Sequence, residues 1–266
     1  MSIFWSGYLR KMTTTIGNPI QYFTDSEKHY LLNNIIGKEV VLTHTSNKEC
    51  IVCGKSIKKT YGQGFCYPCF QNAPENSECI IKPELCEGHL GKGRDPEWEQ
   101  KHHNQPHVVY VAQTEGVKVG VTRKDQVPTR WIDQGASRAR VLAEFPYRQL
   151  AGKMEIALKS NWSDRTNWRK MLTNQPPERG FSELYQKIKS EAQNHFNEYL
   201  VSENNALELN YPVEIYPKRI RSISFDKTPY IRQKLAGIRG QYLIFESGNV
   251  LNIRKFSGYE ITIEIG

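Results

Sequence analysis

Three absences narrow the problem before any motif is read. No stretch of the 266 residues approaches the run of ~18 apolar residues that a membrane span needs, so no bilayer helix is expected. The opening MSIFWSGYLRKM lacks the long apolar core and small-residue cleavage site of a secretory leader. Cysteine is missing from the whole chain after Cys86, all six cysteines lying between Cys50 and Cys86. A secreted disulfide scaffold would spread its bridges through a small chain. The expectation is a cytoplasmic protein without membrane attachment, whose clustered cysteines serve metal. No recognition helix or aromatic RNA-binding run is visible either, so the sequence does not choose between DNA and RNA.

What is present is a packable, basic chain. Lys and Arg number 36 against 28 Asp and Glu, for a net charge of +8, and 38% of residues are hydrophobic. That composition supports a folded core. The segments IFWSGYLRKM, PIQYFT and KEVVLTHT read as strands near the N terminus. HVVYVAQT and GVKVGVT read as a hairpin turning at Glu115-Gly116, followed by a helix TRWIDQGA that stops at Gly135 and a strand RARVLAEF. Leu150, Met154, Ala157 and Leu158 have helical spacing, and Asp164 or Thr166 would cap a short helix reaching Leu172. Gln175-Pro176-Pro177 marks a loop, and Phe181 to Leu200 reads as one longer helix. The tail returns to strands in VEIYP, IRSISF, GQYLIF, NVLNIRK and YEITIEI.

Cys50, Cys53, Cys66 and Cys69 form C-x2-C-x12-C-x2-C. Zinc takes four thiolate or imidazole ligands at tetrahedral positions, and each C-x2-C supplies two from one tight knuckle. Lys55, Lys58, Lys59 and Tyr61 lie between the knuckles, as on a ribbon's exposed hairpin. A second centre is drawn from Cys79, Cys86, His89, His102, His103 and His107, for example Cys79, Cys86, His89 and His103; the alternative is ordinary structural cysteines and solvated histidines. Four protein ligands leave no open position, so either zinc would be structural.

Residues 118–173 hold 12 Lys or Arg against 5 acids, and Lys218 to Arg239 adds seven against Asp226. Such clusters attract phosphate backbones, with Tyr61, Trp131 and Trp168 available for stacking, whereas the plainer alternative is a solvated basic face. Nucleic acid is therefore the expected partner, with a protein partner as the alternative.

The order of a tyrosine strand, a second strand with Lys118-Val119-Gly120, a helix with Arg130 and a helix with Glu155 resembles the GIY-YIG nuclease superfamily. The resemblance implies that Tyr110 assists water activation, that Arg130 holds the scissile phosphate and that Glu155 binds Mg or Mn. Lys118 stands where the second motif tyrosine belongs, and Arg123, just after that strand, is within reach of a phosphate. GQGFCYPCF, KPELCEGHLGKGRDPEWE, VKVGVTR, PTRWIDQGASRA and DRTNWRKML resemble the blocks of a bacterial family called domain of unknown function 2797. In that family's second cluster, cysteine often stands where this chain has Gly93 and His103. The predicted fold is α+β: a zinc ribbon, a GIY-YIG-like α/β domain, and a β-rich module formed from the N- and C-terminal segments. The expected boundaries are 1–47 for the N-terminal β segment, 48–105 for the zinc region, 106–174 for the GIY-YIG-like domain, 175–205 for a helical connector and 206–266 for the C-terminal β segment. The expected function is a zinc-containing nucleic-acid-binding protein, with either divalent-metal-dependent endonuclease activity or a non-catalytic adaptor role.

Overall fold

The computed structural model describes residues 1–24, 27–162, 166–175, 180–202 and 204–266. Its strands are β1 (Ser2–Tyr8), β2 (Thr13–Thr15), β3 (Gln21–Phe23), β4 (Glu39–Lys48), β5 (His107–Gln113), β6 (Val117–Arg123), β7 (Arg138–Phe145), β8 (Leu207–Glu208), β9 (Arg221–Ser222), β10 (Tyr230–Arg239), β11 (Tyr242–Phe245), β12 (Asn249–Asn252) and β13 (Tyr259–Ile265). Its α-helices are α1 (Tyr67–Asn72), α2 (Glu78–Ile81), α3 (Pro96–His103), α4 (Thr129–Asp133), α5 (Arg148–Lys159), α6 (Trp168–Leu172) and α7 (Phe181–Phe196). The architecture is mixed α and β. Among the described residues no helix is long and apolar enough to cross a membrane.

The chain divides into two compact units. The first comprises Met1–Gln71, Leu172–Asn174 and Asn210–Gly266, and the second Asn72–Met171 and Gln175–Leu209. The Cys-rich segment is shared between them, with the four cysteines up to Cys69 in the first and Cys79 and Cys86 in the second.

The first unit is a sheet in the order β1-β13-β4-β10-β11-β12-β9, beside the small β2-β3 pair. β13 lies between β1 and β4, antiparallel to both. Tyr259, Ile261 and Ile263 alternate inward along β13, the period-2 pattern of a strand with one face on a core. β10 was not apparent from sequence, because Arg232, Gln233, Lys234 and Gly237 interrupt its apolar pattern. Pairing with β4 on one side and β11 on the other overrides that weak propensity. VEIYP forms no strand; Val213 makes only an isolated bridge to Gly237, and the segment follows Pro212 and ends on Pro217.

The second unit is a sheet in the order β6-β5-β7-β8. All seven residues of β5 are buried, as expected of a central strand covered on both faces. Val109, Val111 and Val119 join Phe145, Met154, Leu158, Tyr185 and Ile188 in one core, so α5 and α7 bury their apolar stripes with the sheet. Asp164 and the Pro176-Pro177 pair lie outside the described residues. At α6, Asn167 Oδ1 accepts from the backbone N–H of Arg169 and Lys170 at 3.2 and 3.3 Å, so Asn167 does the capping expected of Thr166.

Candidate metal and phosphate sites

Cys50 and Cys53 sit on a tight turn in which Gly54 N–H donates to Cys50 O at 2.9 Å. Cys66 precedes α1, and Cys69 N–H donates to Cys66 Sγ at 3.5 Å, so the second knuckle is the first turn of a helix. The four sulfurs lie within 4.8 Å of one another. Cys53 Sγ and Cys66 Sγ are 3.8 Å apart. A tetrahedron with Zn–S bonds of ~2.3 Å separates its sulfurs by about 3.8 Å, whereas a disulfide would bring them to ~2 Å. Burial raises the Cys50 thiol, but N–H donors from Cys53, Cys66 and Val52 outweigh it and bring the group down to about 6. A thiolate-stabilising pocket of this shape could hold zinc. Glu49 N–H to Gly258 O (2.8 Å) ties the first knuckle to the end of the first unit's sheet, and Ile51 N–H to Gly64 O (2.9 Å) ties it to the second knuckle.

The second group is Cys79, Cys86, Glu99 and His103, all buried and with ligand atoms within 4.8 Å. Cys86 Sγ is 3.3 Å and Cys79 Sγ 3.8 Å from His103 Nδ1, and Cys79 Sγ is 3.8 Å from Glu99 Oε2. Glu99 and His103 also contact each other, as i and i+4 of α3. Asp95 caps that helix by accepting from Trp98 N–H at 3.1 Å, with Pro96 in the first turn. The hydrogen bond from Cys86 and the neighbouring His103 hold Cys79 down at about 4 against its burial, and Cys86 is correspondingly raised. Glu99 Oε1 is buried without a hydrogen-bond partner, as a carboxylate held for a cation would be. The donor set fits zinc.

His89 is not part of this group. Its ring stacks on Tyr147 at 4.1 Å and 5°, and Glu99 stands where the sequence pointed to His89. A Cβ on Gly93 would come 2.4 Å from Glu99 Cγ, so the glutamate stem fills the space beside Gly93. His102 instead accepts from Arg123 Nη1 at 2.8 Å, and His107 is fully buried with Nδ1 2.7 Å from Gln105 O.

The second cluster grips α5. Arg148 donates from Nε and Nη2 to Cys79 O and from Nη2 to Ile80 O, each at 3.0 Å. One turn on, a Cβ at Gly152 would lie 2.3 Å from the backbone nitrogen of Glu84, so only glycine allows this approach.

The residues singled out for phosphate chemistry divide into two sets. Tyr110, on β5, is 1% exposed, and its hydroxyl donates to Gln134 Oε1 at 3.0 Å. Burial raises its ionisation, while Arg130 lowers it and Glu155 raises it, so all three groups share one electrostatic neighbourhood. Gly120, paired with Tyr110 across the hairpin, leaves room for the hydroxyl. The other set is engaged elsewhere. Lys118 is 4% exposed and donates to Thr166 Oγ1 at 2.6 Å, and Arg123 is held by His102 and by Asp125 at 3.4 Å. Glu155, which belongs to the first set, is 8% exposed and already faces Lys159 Nζ at 3.7 Å. Much of the basic cluster around them is likewise committed: Lys124 to Glu144, Arg138 to Glu208, and Arg140 to Asn204 and the Tyr185 ring.

The family described as "Protein of unknown function (DUF2797)" matches residues 37–261. No curated protein and no solved structure matches the chain.

Proposed function

The chain belongs to this family, and from that premise we propose that it is a zinc-stapled nucleic-acid-binding protein whose second unit is a divergent GIY-YIG-like domain. The observation that supports the reading is that the Tyr110 hydroxyl, seated in the notch left by Gly120, interacts with Arg130 and feels the charge of Glu155. In that reading the Arg130 guanidinium would hold a phosphodiester and the Tyr110 hydroxyl would order an attacking water. Two structural zincs would fix the segments that frame both units.

One observation favours the non-catalytic reading, in which zinc knuckles and basic surface hold nucleic acid or a protein partner. Glu155 is a single carboxylate already opposed by the Lys159 ammonium. Mg²⁺ can be held by one carboxylate together with phosphate oxygens and water, but here the Lys159 ammonium already stands 3.7 Å from that carboxylate, so the residues present do not fit a resident divalent cation. No step is therefore routed through one.

The test puts zinc-loaded protein on labelled single-stranded, duplex and branched DNA and RNA, with Mg²⁺ or Mn²⁺, following binding and cleavage together. Cleavage that vanishes in Glu155→Ala while binding persists establishes the nuclease. Salt-sensitive binding without cleavage establishes the adaptor. The absence of both binding and cleavage removes the nucleic-acid reading.

A further inference from the structure

Two segments far apart in the sequence line one basic groove in the first unit. Lys58 and Lys59, from the loop between the zinc knuckles, border a recess of about 370 Å³ together with Lys48, Asp226, Lys255 and Tyr259. A larger recess of about 670 Å³ shares Asp226 and Lys255 and adds Arg221, Lys227 and Tyr230. The shared residues make the two recesses adjoining parts of one surface.

The charge there is uncommitted. Lys58, Lys59, Lys255, Arg221 and Lys227 are all exposed, and none has a carboxylate partner among the described residues. Asp226 does not offset them, because it is answered by Lys48 at 3.5 Å and by the Tyr259 hydroxyl at 2.9 Å. Lys59 and Lys255 lie 5.0 and 5.5 Å over the rings of Tyr61 and Phe256, which restrains both stems. Five cations gathered in a concave surface repel one another unless an anion joins them. The second unit differs, since so many of its cations already have partners.

An aromatic ring completes the surface. Tyr230 borders the larger recess and is 53% exposed. A basic groove with an exposed ring is the arrangement that tracks a single strand: cations follow the phosphates and the ring stacks an unpaired base. Bases in a duplex are already stacked on one another and gain nothing from such a ring.

We propose that this groove seats the sugar-phosphate backbone of a single-stranded nucleic acid, with Tyr230 stacking one base. The proposal rests on the nucleic-acid reading above and locates it in the first unit. Zinc at Cys50, Cys53, Cys66 and Cys69 then has a binding role as well as a structural one, since it holds the loop that presents Lys58 and Lys59.

The experiment is a fluorescence-anisotropy titration of short labelled oligo(dT), oligo(U) and a matching duplex at several salt concentrations. It compares the wild type, the triple variant Lys58→Glu/Arg221→Glu/Lys255→Glu, and Tyr230→Ala. The expected result is tighter single-strand than duplex binding, with a linear fall of log K against log salt. The triple variant should weaken binding to every sequence and flatten the salt slope by about 0.7 per lost phosphate contact. Tyr230→Ala should cost about tenfold in affinity with the slope unchanged. Zinc content and melting temperature are checked for each variant, and the single neutral variants Arg221→Gln and Lys255→Gln replace the triple if it does not fold. Wild-type binding that all groove variants retain would overturn the groove and leave the nucleic-acid reading standing. A preference for duplex would overturn the single-strand assignment, and no wild-type binding would overturn both.

Discussion

Tyr110 and Gly120 are cross-strand partners in β5 and β6, and the glycine exists to make room for the tyrosine: a Cβ at 120 would come 2.6 Å from the Tyr110 hydroxyl and 2.8 Å from Cζ. Neither ring nor strand can retreat, because Tyr110 is 1% exposed in the central strand. Gly120→Ala should therefore destabilise the protein by about 1–3 kcal/mol, the usual cost of overpacking a core. Chemical denaturation of Gly120→Ala, Tyr110→Phe and the double variant checks this. The two changes should couple by at least about 0.5 kcal/mol, since removing the hydroxyl relieves part of the clash. Full additivity would show that the notch and the hydroxyl are independent.

Metal content separates the two ligand sets proposed for the second centre. Elemental analysis of protein purified without chelator should give two zincs per chain. Glu99→Ala and His103→Ala should each bring it to one, as should Cys66→Ser through the first centre. His89→Ala should leave two, because that ring stacks on Tyr147 and lies outside the ligand group. Loss of zinc in His89→Ala with retention in Glu99→Ala would reverse the assignment.

Arg148 links the second cluster to α5 through three hydrogen bonds to backbone carbonyls. Bonds from a charged donor contribute about 1.5–3 kcal/mol each at most, and leaving the half-buried Cys79 carbonyl unsatisfied adds to the loss. Arg148→Ala should lower stability by about 2–4 kcal/mol. It should also speed zinc release to a chromogenic chelator for one of the two metals. Arg148→Lys should recover only part of both, because an ammonium lacks the planar fork that reaches two carbonyls.

Burial drives the His107 imidazole down to about 3, and Nε2 has no partner there. The unfolded chain takes up this proton near pH 6.5 while the folded chain refuses it until about pH 3. The depressed group thus contributes stability that is full above about pH 6.5 and is lost as the pH falls toward 3, at up to about 1.4 kcal/mol per pH unit. His107→Leu should flatten that acid limb in urea unfolding followed across this range. An unchanged slope would mean that another group sets it.

The sequence made the first metal group readable because its information is local: two C-x2-C knuckles carry their own turn geometry. Strands such as β13 were readable for the same reason, through an unbroken alternation of apolar residues. Glu99 was not, since it is one of 28 acidic residues and only its i,i+4 relation to His103 on α3 marks it. β10 was hidden by its charged and glycine positions, and Arg239 within it reads as surface although it is 2% exposed, bound to Asn174 and facing Tyr211 and Tyr216. The internal partners of Lys118 and Arg123 lie 48 residues later and 21 residues earlier. No local pattern encodes contacts at such separations.

The placement of β13 between β1 and β4 has a consequence for how the protein is made. Ribosomes deliver the chain from its N terminus, and domains fold as they emerge. β1 and β4 are exposed early, yet each must wait for residues near the opposite end before it gains its shared neighbour. The two segments of the second unit, Asn72–Met171 and Gln175–Leu209, are complete long before that. The first unit thus closes last, and a nascent chain stalled before Tyr259 should show a protease-resistant second unit beside a digestible first one. Equal protection of both halves in that stalled chain would refute this order.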